Sequence, residues 1–597
     1  MHPRPQLTRE RWIDLCGEWE FAFDDADRGR DAHWEDGALA GRITVPFPPE
    51  SKASGVGDPG PHPVVWYRTR FTLPAGEPGE RWLLHFGAVD YRARVWVDGR
   101  VVAEHEGGHT PFGADITAAL RPDAAEHVLV VRAEDRPDDA GQPRGKQYWG
   151  DHPQGIWYHR TTGIWQPVWL EPVSARHIGA VRWTPDAARG ALGVHVRVAG
   201  PRERPATVRV RVGLGEEVLA EDAYGVSGDT VDREIMLPAA RNGEDRARLL
   251  WTPERPTLLD ITVTLTEEDR VVDRVASYAG LRDVGMDDRR FLLNGRPYFP
   301  RMVLEQGYWP ESHLAAPDED ALRREVELIK SLGFNGARIH QKVEDPRFLY
   351  WCDRLGLLVW DEMPSAYAFD PDTALRTARE WADVVRRDAS HPCVVAWVPV
   401  NESWGVPAMA REPAQRDFAR SLYHLTRALD PTRPALSNDG WEHVGSDIWS
   451  IHDYAPSGAS LRERYATAGA VAGALGDAWP GPRKVHLGDV DGTRRPVMIT
   501  EYGGLSYVPD AGEEWFGYGT VSSPEEFLAR FRELTHALLD SPEVAGICYT
   551  QLTDTEQETN GLLRADRSAK LDPATVRAVL GRPARSVPSE ELAASRE

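Results

Sequence analysis

The stretch CVVAWVPVNESWGV, from Cys393 to Val406, decides how the chain is interpreted. Val394 to Val400 are apolar and partly β-branched, and the run is too short for a typical helix. Pro392 precedes the run and Asn401-Glu402 follows it, so it predicts a buried strand with a carboxylate at its carboxyl end. In a parallel barrel, these strand ends carry the catalytic groups. From this segment alone, a structural role for Glu402, as a cap or as the partner of an arginine, explains the pattern as well as a catalytic role does.

A second strand of the same kind occurs later in the chain. In PVMITEYGG, the apolar residues from Pro496 to Thr500 lead directly into Glu501. Retaining glycoside hydrolysis requires two carboxyl groups, one that protonates the leaving oxygen and one, about 5 Å away, that attacks the anomeric carbon. Two glutamates at the ends of two buried strands therefore favour a catalytic interpretation over a structural one.

These motifs resemble glycoside hydrolase family 2, the family of β-galactosidases, β-glucuronidases and β-mannosidases. The resemblance rests on Asn401-Glu402 after one strand, TEYG after another, and the order of the upstream segments, and it extends from about Trp12 to about Leu571. It implies a multidomain fold, in which a β jelly roll and an immunoglobulin-like β-sandwich precede a catalytic (β/α)₈ TIM barrel. It also implies that Glu402 is the acid/base, that Glu501 is the nucleophile and that Asn401 binds the sugar's 2-hydroxyl.

The composition excludes several other classes of function. The 597 residues carry a net charge of −23 with a pI near 5.3, which argues against binding to nucleic acid or to an anionic membrane. No stretch resembles a transmembrane span or a signal peptide, so we expect a cytoplasmic protein. Cys16, Cys352, Cys393 and Cys548 are scattered in apolar surroundings and predict free thiols. The expected partner is a carbohydrate substrate without a cofactor, and homo-oligomers are common in the family.

The first 175 residues predict a β domain. VVWYRTRF, from Val64 to Phe71, and YRARVWVDG, from Tyr91 to Gly99, have the apolar pattern of strands, and Asp98-Gly99 is a strong hairpin signal. Short strands with Gly and Pro turns are typical of a sandwich or jelly roll. We therefore assign residues 1–175 to the sugar-binding-like jelly roll that the resemblance implies. Most tryptophans of this domain fall at alternating strand positions, which predicts core packing and not sugar stacking.

Residues 176–283 predict a second β domain. GVHVRV, from Gly193 to Val198, and TVRVRV, from Thr207 to Val212, alternate between apolar and polar residues, so each strand has one buried and one wet face. This pattern fits an immunoglobulin-like sandwich, and we find no catalytic motif in it. Residues 284–585 are then the catalytic barrel, and residues 586–597 are predicted to be a polar tail.

The barrel strands can be counted in the sequence. They are predicted at Tyr298–Leu304, Gly336–Ile339, Leu357–Trp360, Val394–Val400, Ala435–Ser437, Ile448–Ile451, Val497–Thr500 and Gly546–Thr550. Asp318 is predicted to cap a helix from Glu319 to Leu332, and Ser523-Pro524-Glu525-Glu526 forms a capping box. Eight strands alternating with helices fit a (β/α)₈ barrel.

Polar residues at the strand ends converge on one mouth of this barrel. An arginine beside a nucleophilic glutamate keeps it ionised, so Arg338 is predicted to support Glu501. By resemblance to the family's tyrosine on strand six, Tyr454 is predicted to hydrogen-bond Glu501. In addition to Asn401, the predicted substrate-binding residues are Arg338, His340, Gln341, Tyr454, Trp441, Glu305 and Asn438. A long loop of the first domain, from Pro143 to Gly163, carries Lys146 and Trp157, and in the family a loop of this domain reaches the barrel mouth.

The residues that define the sugar differ from those of two known groups in the family. Its β-glucuronidases recognise the sugar carboxylate with an Asn-x-Lys element after strand eight, and Asn560-Gly561-Leu562 has no lysine. Its β-galactosidases bind magnesium through residues whose counterparts lie near Ala366 and Ala368, which cannot bind a metal. We therefore predict a metal-independent exo-glycosidase that releases a terminal neutral sugar. β-Galactofuranosidase, α-L-arabinosidase and β-glucuronidase activities stay open as alternatives.

The sequence argues against two other classes of function. A catalytically inactive carbohydrate-binding protein would have lost one of the two glutamates, and both are present. An endo-acting enzyme or transglycosylase needs an open cleft, whereas the inserts at 143–163 and 456–495 are long enough to wall off the barrel mouth. The sequence therefore favours an exo-acting enzyme.

Overall fold

The computed structural model describes residues 1–76, 79–150, 152–478, 480–488, 494–507 and 517–594. The N-terminal part is a jelly roll of antiparallel strands in two main sheets, as the sequence predicted. Trp66 and Trp96 stack on each other at 5.4 Å and are buried, which confirms that these two belong to the core. The strands are Ile13–Asp14, Gly17–Phe23, Gly41–Val45, Val64–Phe71, Arg81–Phe86, Val89–Asp90, Arg92–Val97, Arg100–Glu106, Phe112–Asp115, His127–Glu134, Gly163–Ile164 and Val168–Val173.

The second part is an immunoglobulin-like sandwich. One sheet is built around Ala191–Ala199 and the other around Ala206–Leu214, and the alternating valines of both strands form a common core. The remaining elements are the strands His177–Asp186, Glu217–Gly225, Thr230–Met236, Leu259–Glu267 and Arg270–Ala279 and the helix Gly243–Leu249. Short strands at Val284–Met286, Phe291–Leu293 and Arg296–Pro297 lead into the third part. All four cysteines are free thiols, as expected.

The third part is a parallel barrel. Among the described residues its sheet has seven strands in the order Val394–Val398, Leu358–Glu362, Gly336–Ile339, Arg301–Glu305, Val544–Thr550, Val497–Gly503 and Trp449–His452. The predicted fifth strand, Ala435–Ser437, is an irregular segment in the gap between the two ends of this sheet. Leu436 donates its backbone N–H to Trp397 on one side (3.0 Å), and Ala435 accepts from Asp447 on the other (3.0 Å). The preceding Pro434 lacks an N–H group, which limits the pairing here.

Helices surround this sheet and include both helices that the sequence singled out. The first begins after Asp318, whose side chain accepts from the N–H of Ala321 at 2.6 Å, and the other begins after Ser523, which accepts from Glu526 at 3.1 Å. Residues 586–597 were expected to be a polar tail, but a helix covers 588–594, and Glu590 pairs with Arg301 on the first barrel strand. The helices are Glu319–Ser331, Pro346–Leu355, Pro371–Asp388, Pro413–Leu429, Gly458–Tyr465, Ala468–Leu475, Pro524–Leu539, Pro573–Leu580 and Pro588–Ala594.

Strand register decides which side chains reach the barrel axis. Arg338 lies opposite Leu304 and Trp360, whereas Ile339 lies opposite Glu305 and Asp361. Paired residues in a parallel sheet share a face, and successive residues alternate between faces. Arg338 therefore points into the barrel, and Glu305 and Asp361 point outward toward the helices.

The loop between 143 and 163 of the jelly roll reaches the barrel mouth, as the resemblance implied. Arg144 and Gly145 both donate their N–H groups to the carbonyl of Ser365 at 3.1 Å, and Trp157 donates to the hydroxyl of Tyr367 at 2.8 Å. Gly145 has a φ of 61°, and a Cβ there would lie 2.1 Å from the carbonyl oxygen of Gln341. A glycine is therefore required for the loop to approach the barrel so closely. None of the helices in the described ranges combines the length and apolar character that crossing a bilayer demands.

Candidate active site

A fully buried arginine organises the mouth of the barrel. Arg338 donates through Nε to Glu362 at 2.7 Å and through Nη1 to Glu501 at 3.1 Å, and its Nη2 lies 2.7 Å from Asp439. Nη2 also donates to Oδ1 of Asn401 at 3.3 Å. Three carboxylates around one guanidinium are costly to desolvate unless each is paired, and the rigid donor fork of arginine supplies that pairing.

Glu501 lies at the end of its strand between two donors. Arg338 contacts Oε1, and the hydroxyl of Tyr454 donates to Oε2 at 2.5 Å. Burial, followed by the negative charge of Glu501, holds the pKa of Tyr454 well above its usual value, so this hydroxyl stays a donor. Both contacts orient the carboxylate of Glu501. They are the contacts that the sequence predicted for Arg338 and Tyr454, whose roles in the reaction stay predictions.

Glu402 lies in a strained turn directly after its strand. Glu402 and Ser403 have φ values of 52° and 59°, a conformation that non-glycine residues adopt at a cost. Asn438 holds this turn: its Oδ1 accepts from the N–H of Ser403 at 3.0 Å, and its Nδ2 donates to the carbonyl of Trp441 at 2.6 Å. The amide of Asn438 therefore positions the turn, and a direct contact of Asn438 with the sugar stays a prediction.

A charged histidine links the two glutamates. Nδ1 of His452 lies 2.7 Å from Glu402, and Nε2 lies 3.4 Å from both Glu501 and Asp439. Burial alone would lower the pKa of His452, but the charges of Glu501 and Asp439 raise it to about 10. Oxygen atoms of Glu402 and Glu501 lie within 4.8 Å of each other and of a His452 nitrogen. A protonated imidazole has no free lone pair, so this cluster is poorly suited to bind a metal ion.

His340 and Gln341 lie beside this group, at the mouth end of the second strand. Nδ1 of His340 is 3.0 Å from Glu362, and the N–H of Gln341 donates to the same carboxylate at 3.2 Å. Burial, opposed in part by Arg338, raises the pKa of Glu362 to about 7. Burial and the nearby ammonium of Lys146 hold the pKa of His340 well below its usual value, so His340 is neutral. Nε2 of the Gln341 side chain is buried without a hydrogen-bond partner among the described residues.

A cavity of about 460 Å³ opens next to the two glutamates. Glu402, Trp441, His452, Tyr454 and Tyr518 line it, together with residues of the 456–495 insert, Pro456, Arg464, Pro480, Gly481 and Pro482. Tyr518 stacks on Tyr454 at 3.5 Å, and the Trp441 ring packs edge-on against His452 at 5.6 Å. Aromatic walls beside carboxylates are suited to the apolar faces and hydroxyl groups of a sugar.

Glu305 lies outside this group. It faces the helix layer, where burial and the charges of Glu325 and Glu344 raise its pKa to about 8. Glu305 was predicted to bind substrate, but as the last residue of its strand it falls on the outward side of the alternation, away from the two glutamates.

Three site residues were given no role in the sequence analysis. Glu362 and His452 follow strands three and six in the same way as the residues that were chosen. Asp439, fully buried against Arg338, lies between the two selected residues Asn438 and Trp441. The available signal for Asp439 was its position: an acidic residue after an apolar run, next to a glycine that permits the turn at Gly440 (φ 93°).

Three family models match the chain. "Glycosyl hydrolase 2 galactose-binding domain-like" matches residues 62–164, "Glycosyl hydrolases family 2" matches residues 176–282, and "Glycosyl hydrolases family 2, TIM barrel domain" matches residues 284–512. Together they cover all three parts of the fold in chain order.

Proteins of similar sequence include a β-galactosidase and a β-glucuronidase. A β-galactosidase of Thermoanaerobacter pseudethanolicus is 28% identical over 378 residues, which is 62% of this chain and 48% of the relative. A β-glucuronidase of Paenibacillus borealis is 28% identical over 476 residues, 73% of this chain and 74% of the relative. The chain thus spans about half the length of the first relative and about three quarters of the second.

Solved structures share the complete architecture. A β-glucuronidase of Bifidobacterium dentium superposes with a TM-score of 0.76 at 21% identity and covers 97% of this chain and 98% of its own. A family 2 β-galacturonidase of Eisenbergiella tayi superposes with a TM-score of 0.74 at 20% identity and covers 96% and 97%. With the three family models matched in order, the chain belongs to glycoside hydrolase family 2, and it is a glycoside hydrolase.

Proposed function

We propose that the protein is a retaining exo-glycosidase that releases a terminal neutral sugar, with Glu501 as nucleophile and Glu402 as acid/base. The observation that carries the proposal is the spacing of the two carboxyl groups, which have oxygen atoms within 4.8 Å of each other. Retaining glycosidases keep their carboxyl groups about 5 Å apart, whereas inverting enzymes leave a wider gap for a water molecule.

In the first step Glu501 attacks the anomeric carbon, and the bond from that carbon to the aglycone oxygen breaks. Glu402 gives its proton to the departing oxygen. Arg338 and Tyr454 hold Glu501 oriented for this attack. The resulting intermediate is a glycosyl ester of Glu501.

In the second step Glu402 accepts a proton from a water molecule, which attacks the same carbon and releases Glu501. Two displacements on opposite faces restore the original configuration. His452 contacts Glu402 and lies near Glu501, so its positive charge balances the negative charge that moves between the two glutamates as the reaction proceeds.

The charges around Arg338 favour a neutral sugar. The guanidinium of Arg338 is surrounded by Glu362, Asp439 and Glu501 and is not free for a sugar carboxylate. Asp439 is itself strongly acidic, because Arg338 and His452 overcome the effect of burial and lower its pKa. An anionic sugar would enter a site already rich in carboxylates. An exo action agrees with the cavity beside Glu402, which residues of the 456–495 insert wall on one side.

A panel of nitrophenyl glycosides tests the substrate class. It contains β-galactopyranoside, β-mannoside, β-galactofuranoside, α-L-arabinoside and β-glucuronide. We expect hydrolysis of at least one neutral glycoside, no loss of activity in EDTA, and poor hydrolysis of the glucuronide. Exclusive hydrolysis of the glucuronide, the activity in the name of the Paenibacillus borealis relative, would contradict the neutral-sugar assignment.

A further inference from the structure

The jelly roll places a buried lysine at the barrel mouth. Lys146 follows Gly145, whose close approach to Gln341 fixes the loop on the barrel. Only 5% of Lys146 is exposed, and its ammonium makes no hydrogen bond or ion pair with the residues that the structure describes. Its nearest defined contact is the ring of Tyr158, at 5.7 Å. The side chain is buried while the ammonium has no protein acceptor in the described ranges, so the ammonium is available to a ligand at the barrel mouth.

A buried carboxylate faces the same space. Glu558, in the loop after the last barrel strand, accepts from the hydroxyl of Tyr158 on Oε2 and from Nδ2 of Asn560 on Oε1 at 3.0 Å. Burial raises the pKa of Glu558, and Lys146 is the charge that most opposes this shift. Each carboxylate oxygen has a second lone pair that can accept from a ligand hydroxyl.

Two buried polar side-chain atoms of the same loop region also have no hydrogen-bond partner among the described residues. Nε2 of Gln551 and Oδ1 of Asn560 are buried without hydrogen-bond partners in the described ranges of the chain. Lys146 also lies near His340, which contacts Glu362. The charge of Lys146 lowers the pKa of His340 more than the charge of Arg338 does. The group therefore lies between the jelly-roll loop and the inward-facing residues of the barrel.

We propose that Lys146 and Glu558 hydrogen-bond hydroxyl groups of the terminal sugar ring. The ammonium donates to one hydroxyl oxygen, and the carboxylate accepts from a neighbouring hydroxyl. This inference rests on the proposed function and names how its site selects the sugar. A donor and an acceptor whose charges act on each other can bind two hydroxyls of one sugar ring, whereas a sugar carboxylate would bring a second anion near Glu558. The jelly roll thus supplies a specificity-determining residue to the barrel's active site.

The test combines a change in the enzyme with a change in the substrate. Wild type and Lys146→Gln are assayed on the neutral nitrophenyl glycoside that wild type prefers and on its ring monodeoxy analogues. We expect Lys146→Gln to lower kcat/KM on the parent glycoside by about 10- to 100-fold, the effect of losing a hydrogen bond to a charged group. For one monodeoxy analogue the variant should lose less than about 3-fold relative to wild type, because the hydroxyl that Lys146 binds is already missing. Glu558→Gln should show the same behaviour for an adjacent position.

Two controls separate the alternatives. Lys52→Gln, at an exposed lysine of the same domain that pairs with Glu311, should leave every rate unchanged. Thermal melting checks that Lys146→Gln is folded. Equal losses on the parent and on all deoxy analogues would assign Lys146 a structural role and overturn the inference while leaving the proposed function intact. A wild type that hydrolyses only the uronide would overturn the proposed function itself.

Discussion

Two buried glutamates at the mouth ends of nearby barrel strands point to opposite faces of the sheet. Glu362 points into the barrel, where Arg338 donates to it at 2.7 Å. Glu305 points outward, and its Oε1 has no hydrogen-bond partner among the described residues. Burial raises the pKa of both, to about 7 for Glu362 and about 8 for Glu305. A carboxyl group at a strand end belongs to the site only when the alternation of the strand directs it to the shared arginine.

Removal of Arg338 should have the largest effect. Arg338→Gln leaves three buried carboxylates without their common counter-ion, and losing one partner of a buried ion pair costs about 3–5 kcal/mol. We expect the free energy of unfolding, measured in urea, to fall by that amount and kcat/KM to fall by at least about 1,000-fold. The control, Arg387→Gln, removes an arginine from the outward side, where it contacts Asp388. It should reduce stability and spare catalysis, and a comparable loss of kcat/KM there would break the comparison between the two faces.

Removing one tyrosine hydroxyl on each side of the sheet compares the inward and outward faces more finely. Tyr454→Phe removes the hydrogen bond to Glu501, and we expect kcat to fall by about 10- to 100-fold with little change in melting temperature. Tyr502→Phe removes a hydroxyl that bonds Thr535 on the outward side at 2.9 Å. Steady-state kinetics of the two variants should differ in kcat, and an unchanged kcat in Tyr454→Phe would contradict the role of Tyr454.

Glu305 should affect the pH dependence of stability and not the reaction. Its folded pKa, about 8, lies above the ordinary value of 4.5, so the unfolded chain releases this proton first as pH rises. The folded state therefore loses stability across the window from about 4.5 to about 8. Glu305→Gln removes this titration, so we expect the variant to be more stable than wild type at pH 9, by on the order of 1–3 kcal/mol. Its kcat/KM should be unchanged.

Urea denaturation of Glu305→Gln at pH 5 and pH 9 measures this difference. The matched control is Glu327→Gln, at an exposed glutamate of the neighbouring helix, which should show no pH-dependent gain. A loss of activity in Glu305→Gln would show that this residue acts in the site after all.

Much of the fold could be predicted from local patterns. The alternating valines of Gly193–Val198, the cap at Asp318 and the apolar run before Glu402 each specify an element with little help from distant residues. The segment at Ala435–Ser437 could not be predicted, because its shape depends on the gap left between two strands that are far apart in sequence.

The two glutamates could be proposed from the sequence, because each lies just after an apolar run, and Arg338 because it lies in a predicted strand, whereas Tyr454 rested on the resemblance to the family. The direction of the Glu305 side chain depends on the register of its strand, because a register shift of one residue turns each side chain to the other face of the sheet. The position of Asn438 depends on a strained turn at Glu402 and Ser403 that no local pattern reveals. His452 required knowledge of three carboxylates brought together by the barrel.

The central claim is that Glu402 and Glu501 divide the two roles of retaining hydrolysis, and azide tests it most directly. Glu402→Ala and Glu501→Ala are each incubated with azide and a glycoside that has a good leaving group, and the configuration of the glycosyl azide is read by proton NMR. We predict an azide of inverted configuration from Glu501→Ala and of retained configuration from Glu402→Ala. Full hydrolytic activity in Glu501→Ala, or a retained azide from it, would contradict the assignment of the nucleophile.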